Sequence, residues 1–282
     1  MLSNPGTCFY SHSKPHGFPQ RPQRLPSDGP EPPQPPQPPQ PPHAAPPNVP
    51  TKEWFDTKGL DYETIYGHNA GLLNAVDKLT ARLRPGCRVL DLGCGTGRPV
   101  AHTLASRGFR VHGVDFSETM VSLSRAAVPH PNGIFDCAHL LDWAPPLSKD
   151  QEKFGGIVAT SSFYELSREQ METLVARWHD WLEPGGSALL MMGSAEDVPG
   201  TRADMYDEDG RFARGIPFRF MGDDCLLYLF TRAGWRALLE EKGGLVVREH
   251  WAELFAPSKK GDCDDEMNSF YIAEKVKTGD LN

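Results

Sequence analysis

The chain has 282 residues, of which 39% are hydrophobic and 10% aromatic, enough apolar material for one large or two small cores. It carries 29 Lys+Arg against 37 Asp+Glu, a net charge of −8. That sign argues against a surface that neutralises nucleic-acid phosphates or anionic membranes. Residues 1–50 hold 17 of the 27 prolines, including PPQPPQPPQPP from Pro32 to Pro42. Such a stretch cannot bury enough apolar surface to offset its ordering entropy and is expected to be a disordered tail. It reads either as a flexible spacer or as a polyproline II ligand for an SH3 or WW domain. The remaining residues, 51–282, suit one α/β domain.

No run approaches the length of a membrane span, and residues 1–25 lack the apolar core of a signal peptide. Their prolines also argue against a transit helix. The six cysteines form no CxxC pair and have no histidine at metal-ligand spacing. A cytoplasmic protein with reduced thiols and no metal is the expectation.

In chain order, a helical pattern begins near Leu60 and continues through Leu72, Leu73, Val76, Leu79 and Leu83, stopped by Pro85-Gly86. A first strand, Arg88 to Leu92, runs into the glycine turn Gly93-Cys-Gly-Thr-Gly97, with Pro99 suited to a first helical position. That helix ends at Gly108. A second buried strand follows and closes on Asp115, and Ser117 caps the next helix. Ile134-Phe135 is a weak third strand and Gly156 to Thr160 a fourth. Ser167 and Gln170 form a capping box for a helix carrying Leu174, Val175, Trp178 and Trp181, whose tryptophans read as packing. After the Pro184-Gly-Gly186 turn comes a fifth strand, Ser187 to Met192. Residues 196–225 show no clean period and are expected to be an irregular lid, within an insertion of about 196–230. A helix capped by Thr231 and two last strands, Leu245 to Arg248 and Ser269 to Ala273, complete a parallel-sheet pattern. Those last strands are candidates for an antiparallel pair.

The chemistry concentrates in Asp91-Leu-Gly-Cys-Gly-Thr-Gly97 after a strand, with Asp115 ending the next strand. Glycines 93, 95 and 97 let the backbone turn tightly and approach a ligand, and an acid at the end of the second strand can accept ribose hydroxyls. A dinucleotide would call for GxGxxG. Here the spacing is GxGxG, with Arg98 in place of the third glycine.

The run DLGCGTGRPVAHTLASRGFRVHGVDFSETMVSLSRA resembles the first two motifs of the class I S-adenosylmethionine-dependent methyltransferases, in particular the methyltransferase-11/25-like small-molecule branch. The resemblance implies a Rossmann-like, seven-stranded, mostly parallel sheet with helices on both faces, the last strand antiparallel, and S-adenosylmethionine as cofactor. It implies that Asp91, Gly93 and Gly95 hold the methionine end, Asp115 the ribose, Phe116 the adenine face and Asp142 the adenine amino group. Cys94, Gly97, Met120, Leu141, Trp143 and Ser161 would complete the cofactor site. Residues TSSFYEL, Thr160 to Leu166, match the motif beside the transferred methyl. They lack the Asn/Asp-Pro-Pro-Tyr/Phe sequence of enzymes that methylate base amines or glutamine amides.

The expected reaction is displacement at a sulfonium methyl by an O or N atom of a small molecule, a specialised metabolite being the expected class. Substrate contacts are expected from Ser162, Phe163, Tyr164, Tyr206 and Tyr228. Tyr164, Glu165 and His250 are the candidate catalytic groups, and His179 is a further one. Eight acids against four arginines over 196–225 favour a cationic amine if that segment faces the acceptor, and are a solvated face if it does not. A protein methyltransferase, and a silent fold acting through its proline-rich tail, are the alternatives.

Overall fold

A computed structural model describes residues 48–146 and 152–277. The tail expected over 1–50, with any SH3 or WW ligand in it, lies outside the described residues apart from 48–50. Among the described residues no helix is long and apolar enough to cross a membrane.

The domain starts earlier than the apolar pattern suggests. Thr51 accepts a hydrogen bond from the Trp54 amide and opens α1 (Lys52–Tyr66), and Asn69 likewise caps α2 (Ala70–Thr80). The alternating units follow as β1 (Arg88–Leu92), α3 (Val100–Ser106), β2 (Arg110–Asp115), α4 (Glu118–Ala127), β3 (Gly133–Cys137) and β4 (Phe154–Thr160). Then come α5 (Arg168–Ala176), α6 (Trp178–Trp181) and β5 (Leu182–Gly193). Ser117 caps α4, and the Ser167–Gln170 capping box is formed at α5. The Pro184–Gly186 turn does not precede β5 but bulges within it: Phe154 pairs with Leu182, whereas Gly156 pairs with Ser187.

The segment expected to be an irregular lid is ordered differently. After two short 3-10 turns it forms the antiparallel hairpin β6 (Phe212–Phe220) and β7 (Asp223–Phe230). Phe212, Ala213, Ile216 and Leu229 are fully buried, so the hairpin is part of the core. A register shift between Arg214 and Ile216, at Gly215, breaks the two-residue alternation that would have signalled a strand. Thr231 caps α7 (Arg232–Ala237), and β8 (Val246–Phe255) and β9 (Glu266–Glu274) end the domain.

The sheet order is β3-β2-β1-β4-β5-β9-β8. All neighbours are parallel except those of β9, which runs antiparallel to both β5 and β8. The last strand therefore inserts inside the sheet and leaves β8 at the edge. β1 shows how the two faces are built: Val89 belongs to the core made with helices α2 to α4 through Val76, Leu79, Leu104 and Val121. Its neighbours Leu90 and Leu92 belong to the opposite core, that of Trp143, Trp178, Trp235 and the hairpin.

Candidate active site

The carboxyl ends of β1, β2 and β4, with the start of β9 brought to the same end by its reversed direction, surround a solvent-open cavity. This is where an open α/β sheet places its ligand. The glycine loop is tied down on both sides. The Gly93 and Cys94 amides donate to the Val114 carbonyl at 2.8 and 3.1 Å, and Ser124 Oγ donates to the Gly95 carbonyl at 2.8 Å. Two glycines have separate reasons. A Cβ on Gly93 would lie 2.2 Å from the Ser162 Cβ, and Gly97 sits at φ +78° with its missing Cβ only 3.0 Å from Ser124. Gly93 thus admits the β4 loop to the cavity, while Gly97 packs the turn on α4 and is not among the lining residues.

Asp115 is 7% exposed; its Oδ2 accepts from the Gly95 amide at 3.0 Å and its Oδ1 from the Ser117 amide at 2.9 Å. Burial outweighs those bonds and pushes its carboxyl up to about 6. Asp91 is 1% exposed, and burial, reinforced by the charge of Asp115, raises it to about 7. Burial likewise lifts Glu165 to about 8 and Glu266 to about 7. Ser161, at the end of β4, holds φ +50° while its amide donates to the Met191 carbonyl at 2.9 Å, the kind of backbone strain that collects at functional sites.

Six buried side-chain polar atoms among the described residues lack a hydrogen-bond partner. Five of them line this cavity: Tyr66 Oη, Asp91 Oδ2, Ser162 Oγ and both amide atoms of Asn268. The sixth, Trp178 Nε1, is in the core. Buried polar groups are normally paired, so orphans concentrated in one cavity describe a surface shaped for a polar ligand. Its charged lining is Glu63, Asp91, Asp115, Glu165 and Glu266 against Arg98, which itself lies 3.8 Å from Glu63. Among the described residues no group of three or more His, Cys, Asp or Glu is placed to hold a metal ion.

Of the residues singled out from sequence, Asp91, Gly93, Cys94, Gly95, Asp115, Phe116, Met120, Ser161, Ser162 and Glu165 line the cavity together. Others lie elsewhere. Leu140 lines the cavity and Leu141 does not, although both are buried in the same core. Trp143 is buried against Trp181 and donates to Asp136 Oδ2 at 2.8 Å, so it is a packing residue. Asp142 is exposed and outside the lining. Phe163 and Tyr228 are core residues, and Tyr206 packs at the core's margin beside the hairpin. His250 stacks on Tyr271 at 4.4 Å on the edge strand, and exposed His179 faces Asp180, both away from the cavity. Tyr164 lines a smaller neighbouring cavity with Gly193, Phe218, Leu227 and Glu266; burial raises its hydroxyl above the usual range. Five of the eight acids of the 196–225 segment are paired with arginines: Asp207 and Asp209 with Arg168, Asp207 also with Arg214, Asp197 with Arg232, Asp204 with Arg202 and Asp224 with Arg219. None of the segment's acids lines the main cavity, and Asp197 borders the smaller one beside Tyr164.

The sequence reading missed one whole wall, formed by Phe55, Tyr62, Glu63 and Tyr66 of α1 and by Glu266 and Asn268 of β9. The helical spacing of Phe55, Tyr62 and Tyr66 was the available signal.

Residues 89–186 match a family model described as a methyltransferase domain. The chain is similar to a phosphoethanolamine N-methyltransferase of Plasmodium falciparum, 27% identical over 154 residues that cover 52% of this chain and 54% of that protein. The chain spans just over half the length of the curated relatives it matches first. Among solved structures it is similar to the 1,6-didemethyltoxoflavin-N1-methyltransferase of Burkholderia thailandensis, at 19% identity and a TM-score of 0.56, covering 80% of this chain and 87% of that one. It is also similar to the magnesium protoporphyrin IX methyltransferase of Synechocystis with bound S-adenosylhomocysteine, at 17% identity and a TM-score of 0.54, covering 80% and 97%. With the β3-β2-β1-β4-β5-β9-β8 order and the single reversed strand, these findings identify the fold of the class I S-adenosylmethionine-dependent methyltransferases, with the methyltransferase domain matched over residues 89–186.

Proposed function

We propose that the chain is an S-adenosylmethionine-dependent methyltransferase acting on an O or N atom of a small-molecule acceptor. The observation that carries this reading is the cluster of five orphaned polar atoms in the cavity below the Asp91–Gly97 loop. In this reading Asp91 and the loop hold the methionine end, Asp115 the ribose hydroxyls, and Phe116, Met120 and Leu140 the adenine. The excess of carboxylates over the single Arg98 suits a sulfonium and an ammonium, and suits a dinucleotide pyrophosphate poorly. When bound, the cofactor supplies an electrophilic methyl whose leaving group needs no acid. The chain's residues exclude water, align the acceptor and receive its proton, and alignment with desolvation supplies most of the rate.

The test is calorimetric titration with S-adenosylhomocysteine and, separately, NAD(P). Micromolar binding of the former, lost in Asp115→Ala, is expected. Binding of NAD(P) alone, or of neither by folded protein, overturns the proposal. Methyl transfer to peptides but not to small amines or alcohols would replace the small-molecule acceptor by a protein.

A further inference from the structure

The α1–β9 wall has a chemistry distinct from that of the glycine loop. Phe55, Tyr62 and Tyr66 all line the cavity from α1, on either side of a break in the helix at Gly59. Tyr62 and Tyr66 stack at 4.9 Å and 16°, and Phe55 meets Tyr62 edge-on at 6.4 Å. Glu266 and Asn268, which line the same cavity, stand two residues apart on β9 and so share a face. Asn268 pairs with Gly193, where no side chain intervenes, and is 1% exposed with neither its Oδ1 nor its Nδ2 bonded. An amide so deeply buried with a donor and an acceptor both vacant needs a partner from outside the chain. Tyr66 Oη sits near Glu266 and the Cys263 thiol without a well-formed bond to either. Glu266 also borders the smaller cavity, where Tyr164, Phe218 and Leu227 stand with Asp197 and Asp265, which gives an acceptor a recess of mixed apolar and acidic lining beyond the carboxylate.

We propose, resting on the methyltransferase reading, that this wall is the acceptor subsite and that it takes a primary or secondary amine without a phosphate, with Glu266 as the residue that binds and deprotonates it. Aromatic faces and a carboxylate together recognise an ammonium. An amine arrives protonated and must lose a proton before it can accept a methyl. In that step one ammonium N–H bond breaks, the proton passes to a Glu266 carboxylate oxygen, and the electron pair stays on nitrogen. The raised Glu266 carboxyl, about 7, is matched to that transfer. Asn268 orients the nitrogen through its free carbonyl oxygen. A phosphorylated amine is disfavoured because the lining offers it one cation, Arg98, against five carboxylates.

The test uses the full chain saturated with S-adenosylhomocysteine and titrates 2-phenylethylamine, 2-phenylethanol and phosphoethanolamine, read by calorimetry. We expect the amine to bind at least tenfold tighter than the alcohol, and phosphoethanolamine to bind more weakly than the amine. Glu266→Gln should bring amine and alcohol within about twofold while leaving S-adenosylhomocysteine affinity within about twofold. Tyr66→Phe, which keeps the ring, should narrow the preference severalfold and serves if Glu266→Gln does not fold. Equal binding of amine and alcohol, a preference that survives Glu266→Gln, or no binding of any of the three to the saturated protein overturns the inference while the methyltransferase reading stands. Failure to bind S-adenosylhomocysteine overturns both.

Discussion

Replacing Asp91 by Asn separates the cost of building the site from its use. The Asp91 carboxyl is raised from 3.8 to about 7 by burial and by Asp115, and its Oδ2 has no partner. A group whose folded value is raised destabilises the folded state as pH climbs from the unfolded value, and the loss is complete above the folded one. A rise of about 3 units amounts to about 4 kcal/mol at pH 8, but only about 1.5 kcal/mol at pH 5, where the unfolded chain has barely more than one unit of advantage. Asn has nearly the same shape and does not titrate. Ligand-free Asp91→Asn is therefore expected to be more stable than the parent at pH 8 by up to about 4 kcal/mol, with the gain shrinking by more than half at pH 5. Urea unfolding at the two pH values measures it, and the same variant should bind S-adenosylhomocysteine at least tenfold more weakly. A variant less stable than the parent at pH 8, or a difference that does not change with pH, would refute the reasoning that Asp91 is an uncompensated charge held for a ligand.

Asn268→Leu removes two orphaned amide atoms in the same way, and is expected to raise the thermal midpoint while abolishing amine binding, both measurable on one preparation. Asp56 fastens α1 over the cavity, accepting from Lys52 Nζ at 2.8 Å, Ser117 Oγ at 2.7 Å and the Thr119 amide at 3.2 Å. Asp56→Ala should cost about 1 kcal/mol, discounted for partial exposure, and speed proteolytic cleavage within α1. The Lys52 and Ser117 bonds lower the Asp56 carboxyl to about 2. Its contribution should accordingly be present above about pH 4 and fade as pH falls toward 2. Trp235→Ala, at a fully buried ring whose Nε1 donates to the Gly193 carbonyl at 2.9 Å, should lose about 3–5 kcal/mol in denaturant unfolding.

What could be read from sequence was what the chain specifies locally. The glycine turn, the acid ending β2, the Ser117 cap and the Ser167 box each depend on a few consecutive residues, and all appear where their spacing puts them. The hairpin β6–β7 was hidden because the bulge at Gly215 shifts the register, so exposed Arg214 and fully buried Ile216, two residues apart, do not share a face as strict alternation requires. Leu140 and Leu141 were exchanged because the turn from His139 to Trp143, with its 3.0 Å amide bonds back to the His139 carbonyl, decides which of two adjacent leucines faces the cavity. Of the α1–β9 wall only the α1 half has a local signal, the spacing of Phe55, Tyr62 and Tyr66; roughly 200 residues separate Tyr66 from Glu266, and only the reversal of β9 inside the sheet brings them to one cavity.

The net acidity of the chain has a location that composition does not reveal. In the 196–225 segment, five of the eight acids, Asp197, Asp204, Asp207, Asp209 and Asp224, are answered by arginines. In the cavity Asp115, Asp91, Glu266 and Glu165 are held at about 6, 7, 7 and 8, because burial disfavours their ionised forms. A cation entering the cavity favours those forms, so its binding expels protons and strengthens as pH rises from 6 to 8. S-adenosylmethionine differs from S-adenosylhomocysteine by a methyl group and the positive charge on sulfur. Their affinity ratio should therefore move severalfold toward the sulfonium over that range, while the shared ribose and adenine contacts cancel. Paired titrations at pH 6, 7 and 8 give the ratio directly. A ratio that stays flat would mean that the carboxylates do not feel the sulfur, and the electrostatic argument for a sulfonium in this cavity would fall.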